Sequence, residues 1–254
     1  MSCDFNPNKP AGAIGQVELV RPIMEQFNKY ADKELQCSID PGAPPVPFGA
    51  QEYFKKHGYL IIKNLWDPKE LYHEVPNERG QINYYGSLDN FYHNPEERQV
   101  NGSLARYSHP QYKEIHSKIR LILQDILGEE LYNTYYYDRF YFEGQRLYRH
   151  SDRDACEISV SVQVSTNSEQ PWSFCLQTLE GKEIAANLKD GWGLLYMGCT
   201  VEHWRDPLES RYNKYGKVLN KILKKKDDTY HHQIFFHYVR ANGPRAHCYY
   251  DRAS

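Results

Sequence analysis

The chain lacks any run of eighteen apolar residues, so it contains no segment long enough to cross a bilayer as a helix. Its beginning, MSCDFNPNKP, lacks the positively charged start and the apolar stretch of a secretory signal. Together these two absences predict a cytoplasmic protein.

Closely spaced cysteine pairs are also absent. The sequence contains no C-x-x-C motif and no short-range cysteine cluster, which argues against a zinc ribbon and against a compact disulfide scaffold. In a chain of 254 residues, scattered cysteines are more often reduced core residues.

An excess of charge of one sign is the third absence. Lysine and arginine together number 31 and the acidic residues 33, which gives a net charge of -2. The whole-chain balance shows neither the basic footprint of a nucleic-acid-binding protein nor a polybasic membrane patch. We therefore expect neither nucleic acid nor a membrane as a partner, and the sequence leaves the oligomeric state open.

Tyrosine, in contrast, is abundant, with 22 residues. A tyrosine ring can be buried while its hydroxyl stays hydrated or hydrogen-bonded, so these residues suit strands and grooves that are half apolar. The length is sufficient for one sizeable core, and all-β barrels of this size are commonly one domain. We predict a single domain over residues 1–254.

Residues 1–130 have the pattern of a helical support that precedes the main fold. Apolar residues at helical spacing predict helices over 16–31, Ala50–His57 and Pro110–Leu127, and Gly58 and Gly128 suit the ends of the second and third. An apolar strand is expected at Tyr59–Ile62, followed by a short helix that begins at Asp67-Pro68.

A polar and aromatic segment at 73–107 is rich in glycine, asparagine and proline. Long segments without periodicity are usually functional loops or partly disordered. Two interpretations stay open: a plain surface loop, or a lid that faces the substrate through Tyr84, Tyr85, Phe91 and Tyr92.

From residue 131 the pattern changes to short strands separated by turns, which is typical of a sandwich or barrel. We predict this β core over 131–245 and a tail over 246–254. The strands are expected at Tyr135–Phe142, Glu157–Ser165, Trp172–Gln177, Gly193–Met197 and His232–Tyr238.

The segment YFEGQRLYRHSD, residues 141–152, contains the most informative motif. In a strand, residues i and i+2 point to the same side, so His150 and Asp152 can reach one metal ion. With His203 as a third ligand, the set would be the two-histidine, one-carboxylate triad of non-haem Fe(II) oxygenases. Alone, His-x-Asp also fits a surface turn with a capping aspartate, and His203 also fits a satisfied core histidine.

The flanking residues resemble the Fe(II)/2-oxoglutarate-dependent dioxygenases, specifically the prolyl-4-hydroxylase-like branch. Tyr141-Phe142-Glu143-Gly144 precedes His150-Ser151-Asp152, and DGWGLLYMGCTVEHWRDPL places Pro207 and Leu208 at the family's offsets from His203. The resemblance covers about residues 131–238. It implies a mainly β fold with supporting helices: a double-stranded β-helix (a jelly roll, or cupin-like barrel) backed by N-terminal helices.

The resemblance also implies a reaction. Fe(II) bound by His150, Asp152 and His203 would use O2 and the cosubstrate 2-oxoglutarate, with ascorbate as an optional reductant. The products would be succinate, CO2 and a substrate hydroxylated at an unactivated C–H bond. The substrate class is a peptidyl side chain, prolyl among the options, or a small molecule, and fold alone does not choose between them.

The 2-oxoglutarate C5 carboxylate needs a partner, because an unpaired buried carboxylate is costly. The resemblance assigns Tyr141 to it, and Gln163 lies where a further polar contact often arises. The family's Arg or Lys on the last barrel strand is missing from its expected place. Counting from His203 reaches Lys214, which falls inside a mixed-charge insertion, ESRYNKYGKVLNKILKKKDD, that more resembles a solvated helix.

Several residues could supply the missing contact. His231 or Gln233 could substitute on the last strand, Arg205 or Arg240 could reach in, or the cosubstrate could be a different one. The missing base also keeps a second function open: a non-catalytic, metal-binding jelly roll that serves as a cupin-like binding protein.

Overall fold

The structure is a computed structural model that describes residues 49–76, 92–93, 98–102 and 104–250. The predicted helix over 16–31 and most of the aromatic segment over 73–107 lie outside these residues, so neither prediction is tested. Within the described part no helix is both long and apolar enough to cross a membrane.

The described chain contains four α-helices and eleven strands. The helices are α1 (Ala50–His57), α2 (Pro68–Leu71), α3 (Pro110–Leu127) and α4 (Lys214–Ile222). The strands are β1 (Tyr59–Ile62), β2 (Tyr92–His93), β3 (Leu104–Tyr107), β4 (Leu131–Phe142), β5 (Leu147–His150), β6 (Ile158–Thr166), β7 (Phe174–Gln177), β8 (Glu183–Ala186), β9 (Gly193–Tyr196), β10 (His203–Arg205) and β11 (Tyr230–Arg240). Two short 3₁₀ helices lie at Asp154–Cys156 and Ala246–Tyr250.

Two antiparallel sheets form the barrel. The larger has the strand order β1-β9-β6-β11-β4-β3-β2, and the smaller has the order β5-β10-β7-β8. From β5 to β10 the chain passes back and forth between the two sheets, with β7 and β8 as a hairpin within the smaller one, which is the arrangement of a jelly roll. The predicted fold class, a double-stranded β-helix with supporting helices, is confirmed.

Strand β6 contributes polar groups to a barrel interior that is otherwise lined largely by apolar side chains. Val160, Val162 and Val164 lie on one face and pack in the core cluster that contains α3. The alternate residues Ser159 and Ser161 are equally buried and bond to side chains of β11. Since strand side chains alternate between faces, one face of β6 packs on helices while the other lines the interior with hydrogen-bonding groups.

Helix α3 backs the barrel as predicted. Its buried stripe includes Ile119, Ile122 and Leu123, at the spacing of one helix face. The helix ends where Gly128 adopts a left-handed conformation, with φ of 65°, and donates its N–H to the Gln124 carbonyl. Gly58 ends α1 in the same way with φ of 81°.

Most of the other predicted helices and strands are present in the structure, but several short strands were not predicted. Strand β1, helix α2 and the helix inside the insertion, α4, are confirmed, and all five expected core strands are present with shifted ends. Strands β3, β5, β8 and β10 were missed, since each has three or four residues and none shows a sustained apolar alternation.

The predicted boundary at residue 131, between a helical support and a β core, does not separate the strands completely. Strand β1 pairs with β9 and β3 pairs with β4, so residues before 131 extend the barrel sheet as well as supporting it. The 3₁₀ helix at Ala246–Tyr250 packs against β4 and β11. The single-domain assignment stays a prediction.

Candidate metal centre

Three side chains converge where β5 and β10 pair. His150, the last residue of β5, is directly opposite His203, the first residue of β10. Their Nε2 atoms lie 3.5 Å and 3.6 Å from the same oxygen, Oδ1 of Asp152. One potential ligand atom from each residue lies within 4.8 Å of the other two, so these three groups could hold one metal ion.

Both imidazoles are oriented by backbone carbonyls. His150 Nδ1 lies 2.6 Å from the Tyr148 carbonyl oxygen, and His203 Nδ1 lies 3.0 Å from that of Val201. A ring that donates from Nδ1 keeps its Nε2 lone pair for a metal, and such a bond fixes tautomer and ring orientation. His203 therefore differs from a core histidine whose two nitrogens are both satisfied by the backbone, because its second nitrogen approaches the Asp152 carboxylate.

Asp152 is held against the turn that follows β9. Its backbone N–H donates to the Gly198 carbonyl at 2.8 Å. A Cβ on Gly198 would lie 2.6 Å from Asp152 Oδ2 and 2.2 Å from the Cys156 carbonyl. This close approach requires glycine, a role that the sequence analysis missed although Gly198 lies inside the motif it used.

Charge and burial act in opposite directions on Asp152. Burial acts to raise the pKa of this carboxyl, but the neighbouring His203 and hydrogen bonds with both histidines lower it far below its usual range. An ionised carboxylate beside two imidazole lone pairs is a suitable donor set for a divalent transition metal.

A second group of side chains lies behind Asp152. Ser159 Oγ lies 2.9 Å from His237 Nδ1 and 3.4 Å from Asp152 Oδ2. Burial lowers the pKa of His237 to about 4, so its imidazole is neutral near neutral pH. Asp152, Cys156 and His237 also lie close enough to form a possible metal-ligand group, but it shares Asp152 with the first.

A single residue of β10, Trp204, separates the candidate ligand His203 from Arg205, whose side chain is fully buried. The pairing of β10 with β5 is irregular between these residues, as is common where a strand re-aims a side chain at a functional site. Arg205 donates to the Trp172 carbonyl and, at 2.9 Å, to Gln233 Oε1 on β11.

Arg205 is a buried cation without a carboxylate partner among the residues that the structure describes. Burial lowers the pKa of its guanidinium to about 10, so the group remains charged near neutral pH. Its Nε makes no hydrogen bond with described residues. A buried charge is costly unless it is paired, so this position favours an anionic ligand.

Tyr141 and His231 lie beside this arginine. They are direct cross-strand neighbours on β4 and β11, and Trp172 packs edge-on against both rings at 4.9 Å and 5.0 Å. The Tyr141 hydroxyl and His231 Nε2 are buried and make no hydrogen bond of standard geometry within the described chain. Burial and then Arg205 hold the pKa of His231 well below its usual range. We call Tyr141, Arg205 and His231 the anion half of the site.

The other candidates for the missing contact lie elsewhere or act indirectly. Lys214 is the exposed first residue of α4. Arg240 lies nine residues beyond His231 and pairs with Glu129 and Glu157 at 2.6 Å and 2.9 Å. Gln233 donates to Ser161 Oγ and accepts from Arg205, so it holds the arginine in place.

Gln163 and Arg139 complete the barrel interior. Gln163 is predominantly buried and donates to Asp190 Oδ1 at 2.9 Å, at the turn before β9. Arg139, which the sequence analysis did not single out, is buried with its guanidinium 5.2 Å and 5.8 Å from the ring centres of Tyr137 and Tyr141. Arg139 and Tyr141 are two residues apart on β4, so the alternation of side chains along a strand could have placed Arg139 on the same inner face as Tyr141.

No protein-family model matches the chain, and no curated protein matches it in sequence. Solved structures do match. An oxidoreductase of the 2OG-Fe(II) oxygenase family from Burkholderia pseudomallei aligns with a TM-score of 0.54 and 11% identity, over 83% of this chain and 97% of that one. EctD from S. alaskensis in its apo form aligns with a TM-score of 0.50 and 14% identity, over 80% of both chains.

The chain has the fold of the 2OG-Fe(II) oxygenases. A third neighbour, the non-heme alpha-ketoglutarate-dependent epimerase SnoN from nogalamycin biosynthesis, aligns over 76% of this chain and 81% of that one, with a TM-score of 0.50 and 10% identity. The resemblance seen in the sequence is thus confirmed at the level of fold. At these identities the shared property is the fold, and chemistry must be argued from the site.

Proposed function

We propose that the protein is an Fe(II)- and 2-oxoglutarate-dependent oxygenase that hydroxylates an unactivated C–H bond of a small-molecule or peptidyl substrate. The observation that carries this proposal is the metal centre itself. His150 and His203 direct Nε2 toward one carboxylate oxygen of Asp152, and a buried unpaired guanidinium lies two residues further along the same strand.

The metal half would hold Fe(II) through His150, Asp152 and His203. When bound, the iron and 2-oxoglutarate supply the oxidising chemistry, with O2 as oxidant and succinate and CO2 as products. The residues of this chain orient the metal through the Nδ1 bonds of the two histidines and through the close contact of Gly198 with Asp152.

The anion half would hold the C5 carboxylate of 2-oxoglutarate. Along a strand, residues two apart are separated by about 7 Å, which a five-carbon dicarboxylate can span between His203 and Arg205. Arg205 would donate charge-assisted hydrogen bonds, with Tyr141 as a second donor. His231 and Gln233 would complete this contact, His231 through Nε2 and Gln233 by holding Arg205.

Under this proposal, Arg205 takes the role of the missing base. The sequence pattern places a cation on the last strand, β11, whereas Arg205 lies on the preceding strand, β10, in the other sheet, beside the same tyrosine. The non-catalytic jelly roll remains the alternative function, and the buried guanidinium of Arg205 supports the enzyme over this alternative.

The test is a titration followed by a turnover measurement. Under anaerobic conditions the protein is loaded with Fe(II) and then 2-oxoglutarate, and the weak visible charge-transfer band of chelated 2-oxoglutarate is expected. On admission of O2, iron-dependent release of succinate is expected. Metal binding with neither the band nor succinate would establish the binding-protein alternative instead.

A further inference from the structure

Helix α4 lies in the insertion between β10 and β11. The residues on either side of the helix, 210–213 and 227–228, bond to one another, and we call them the neck. Arg211 pairs with Asp228 through two hydrogen bonds of 2.9 Å and 2.8 Å, which joins the two ends of the insertion. Ser210 bonds to Asp227, and Asn213 caps the helix by accepting from the Gly216 N–H at 2.9 Å. These contacts fix the helix start and its base.

The helix presents an apolar stripe that no described residue buries. Residues at positions i, i+3, i+4 and i+7 normally form the face that a helix turns to its core. Here none of the helix residues is buried, and the stripe keeps more than half of its surface exposed at every position. The exposed fractions are 88% for Tyr215, 59% for Val218, 55% for Leu219 and 71% for Ile222. Leu223 continues the stripe at 52%.

The charge of this segment is of one sign. Residues 214–226 contain six lysines, no arginine and no acidic residue. Because the whole chain has a net charge of -2 and this segment contributes +6, the rest of the chain carries -8. The nearest acidic residues, Asp227 and Asp228, are engaged in the neck. The whole-chain balance therefore conceals a strong local positive charge.

The C-terminal end of the helix is remote from Asp152 along the direction of β11. It leads into Tyr230, the first residue of β11, whereas His237, seven residues further, adjoins Ser159 and Asp152. Seven residues of strand extend about 23 Å. A role for α4 as a lid over the metal is thus not supported, and its apolar face needs another partner.

We propose that α4 docks the protein on an anionic phospholipid surface. The apolar stripe would enter the boundary between headgroups and acyl chains, while the lysines extend to the lipid phosphates. Two features favour lipid over a protein groove. Every cation in the segment is lysine, which is depleted from protein interfaces, and arginine, which is preferred there, is absent. This proposal replaces the expectation of no membrane partner, which rested on the charge of the whole chain.

The test is flotation of the full-length protein with vesicles of phosphatidylcholine, with or without phosphatidylserine. Binding to the phosphatidylserine vesicles, weakened by salt, is expected. Replacing three lysines, K217Q/K221Q/K224Q, should weaken partitioning on the order of 100-fold, since each lysine near an anionic surface contributes about fivefold. The pair V218S/I222S should abolish binding at both low and high salt.

A matched control replaces three exposed lysines on other helices, K55Q/K56Q/K113Q, and should bind like the unchanged protein. The proposal is overturned if no variant or vesicle composition alters binding, or if the unchanged protein does not float with phosphatidylserine vesicles. It is also overturned if V218S/I222S lowers the melting temperature, which would mean that the chain itself covers the stripe. Conversion of a dimer to a monomer by the same pair would assign the face to a second copy.

Discussion

The metal half and the anion half of the site lie side by side in one barrel but were accessible to sequence reasoning to very different degrees. The three candidate metal ligands, His150, Asp152 and His203, are arranged by local strand geometry and by one cross-strand pair. The cation that we propose for the anion half, Arg205, lies on a different strand than the family pattern indicates. The difference has a physical reason. A metal ion restricts both the type of its ligands and the direction from which they approach, whereas the carboxylate of a cosubstrate can be bound by a cation that reaches it from any of several strands.

The largest effect is expected in the metal half. Asp152→Ala removes the oxygen that both imidazoles approach and should reduce iron affinity by more than the 10- to 100-fold typical of outer-shell substitutions, roughly 1,000-fold or beyond, with loss of succinate release. Isothermal titration with Fe(II) under anaerobic conditions measures it. Asp154→Ala, two residues on in an exposed ion pair with Arg245, is the matched control and should leave both quantities unchanged.

If Asp152→Ala binds iron with unaltered affinity, Asp152 is not a metal ligand. The comparison between a metal half and an anion half would then have no basis. A melting temperature measured in parallel separates loss of the ligand from loss of the fold.

The next prediction concerns the close packing of Gly198 against Asp152 in the metal half. Gly198→Ala would place a methyl group within van der Waals overlap of Asp152 and of the Cys156 carbonyl, which is backbone and cannot rotate away. We expect a displaced Asp152 and an iron affinity lowered about 10- to 100-fold. Gly181→Ala is the control: its Cβ meets nothing within 4 Å, though its φ of 80° makes alanine strained by about 1 kcal/mol.

If both glycine variants lose iron to the same extent, the effect belongs to general destabilisation and not to the contact with Asp152. Thermal unfolding of the metal-free proteins resolves the two cases, since the Gly181 variant should lose stability and keep its iron.

Much of the fold could be predicted from the sequence, and so could the convergence of His150, Asp152 and His203, whose role as metal ligands stays a prediction. Helix α3 has a clear apolar stripe and a glycine at its end, and His-x-Asp has a strand geometry that points both side chains one way. Arg205 could only be offered as one option among several. Its direction depends on the irregular pairing between β10 and β5, a property of two strands together that no local pattern encodes.

Missed elements have a similar explanation. Strands β5 and β10 read LYRH and HWR, with charged and aromatic residues that serve the site and hide the alternation expected of a strand. Gly198 and Ser159 act on Asp152 through contacts that close only when β6 and the turn after β9 come together. Such contacts belong to tertiary structure.

A third test concerns the anion half. Arg205→Gln removes the buried cation, and we expect the KM for 2-oxoglutarate to rise on the order of 100-fold, as for the loss of a buried charge-assisted bond. Iron affinity should stay the same, because His203 keeps its own contact with Val201. Arg205→Lys should recover part of the loss, since it keeps the charge without the fork of donors.

Arg240→Gln is the matched control for that experiment. It removes an arginine of the same barrel whose partners are Glu129 and Glu157, so it should lower stability and leave the KM for 2-oxoglutarate unchanged. A KM effect in Arg240→Gln and none in Arg205→Gln would reverse the assignment of the carboxylate partner.

The smallest effect is expected for Tyr141→Phe, which removes a single hydroxyl from the anion half. That hydroxyl is fully buried, so we expect it to contribute a hydrogen bond only when the cosubstrate binds. One neutral donor to a carboxylate contributes about 1.5 kcal/mol, so the KM for 2-oxoglutarate should rise roughly tenfold. Iron affinity measured without cosubstrate should not change. If instead the phenylalanine variant loses iron, the two halves are mechanically coupled through β4 and cannot be treated as separable, because a substitution on the anion side would then have moved a ligand on the metal side.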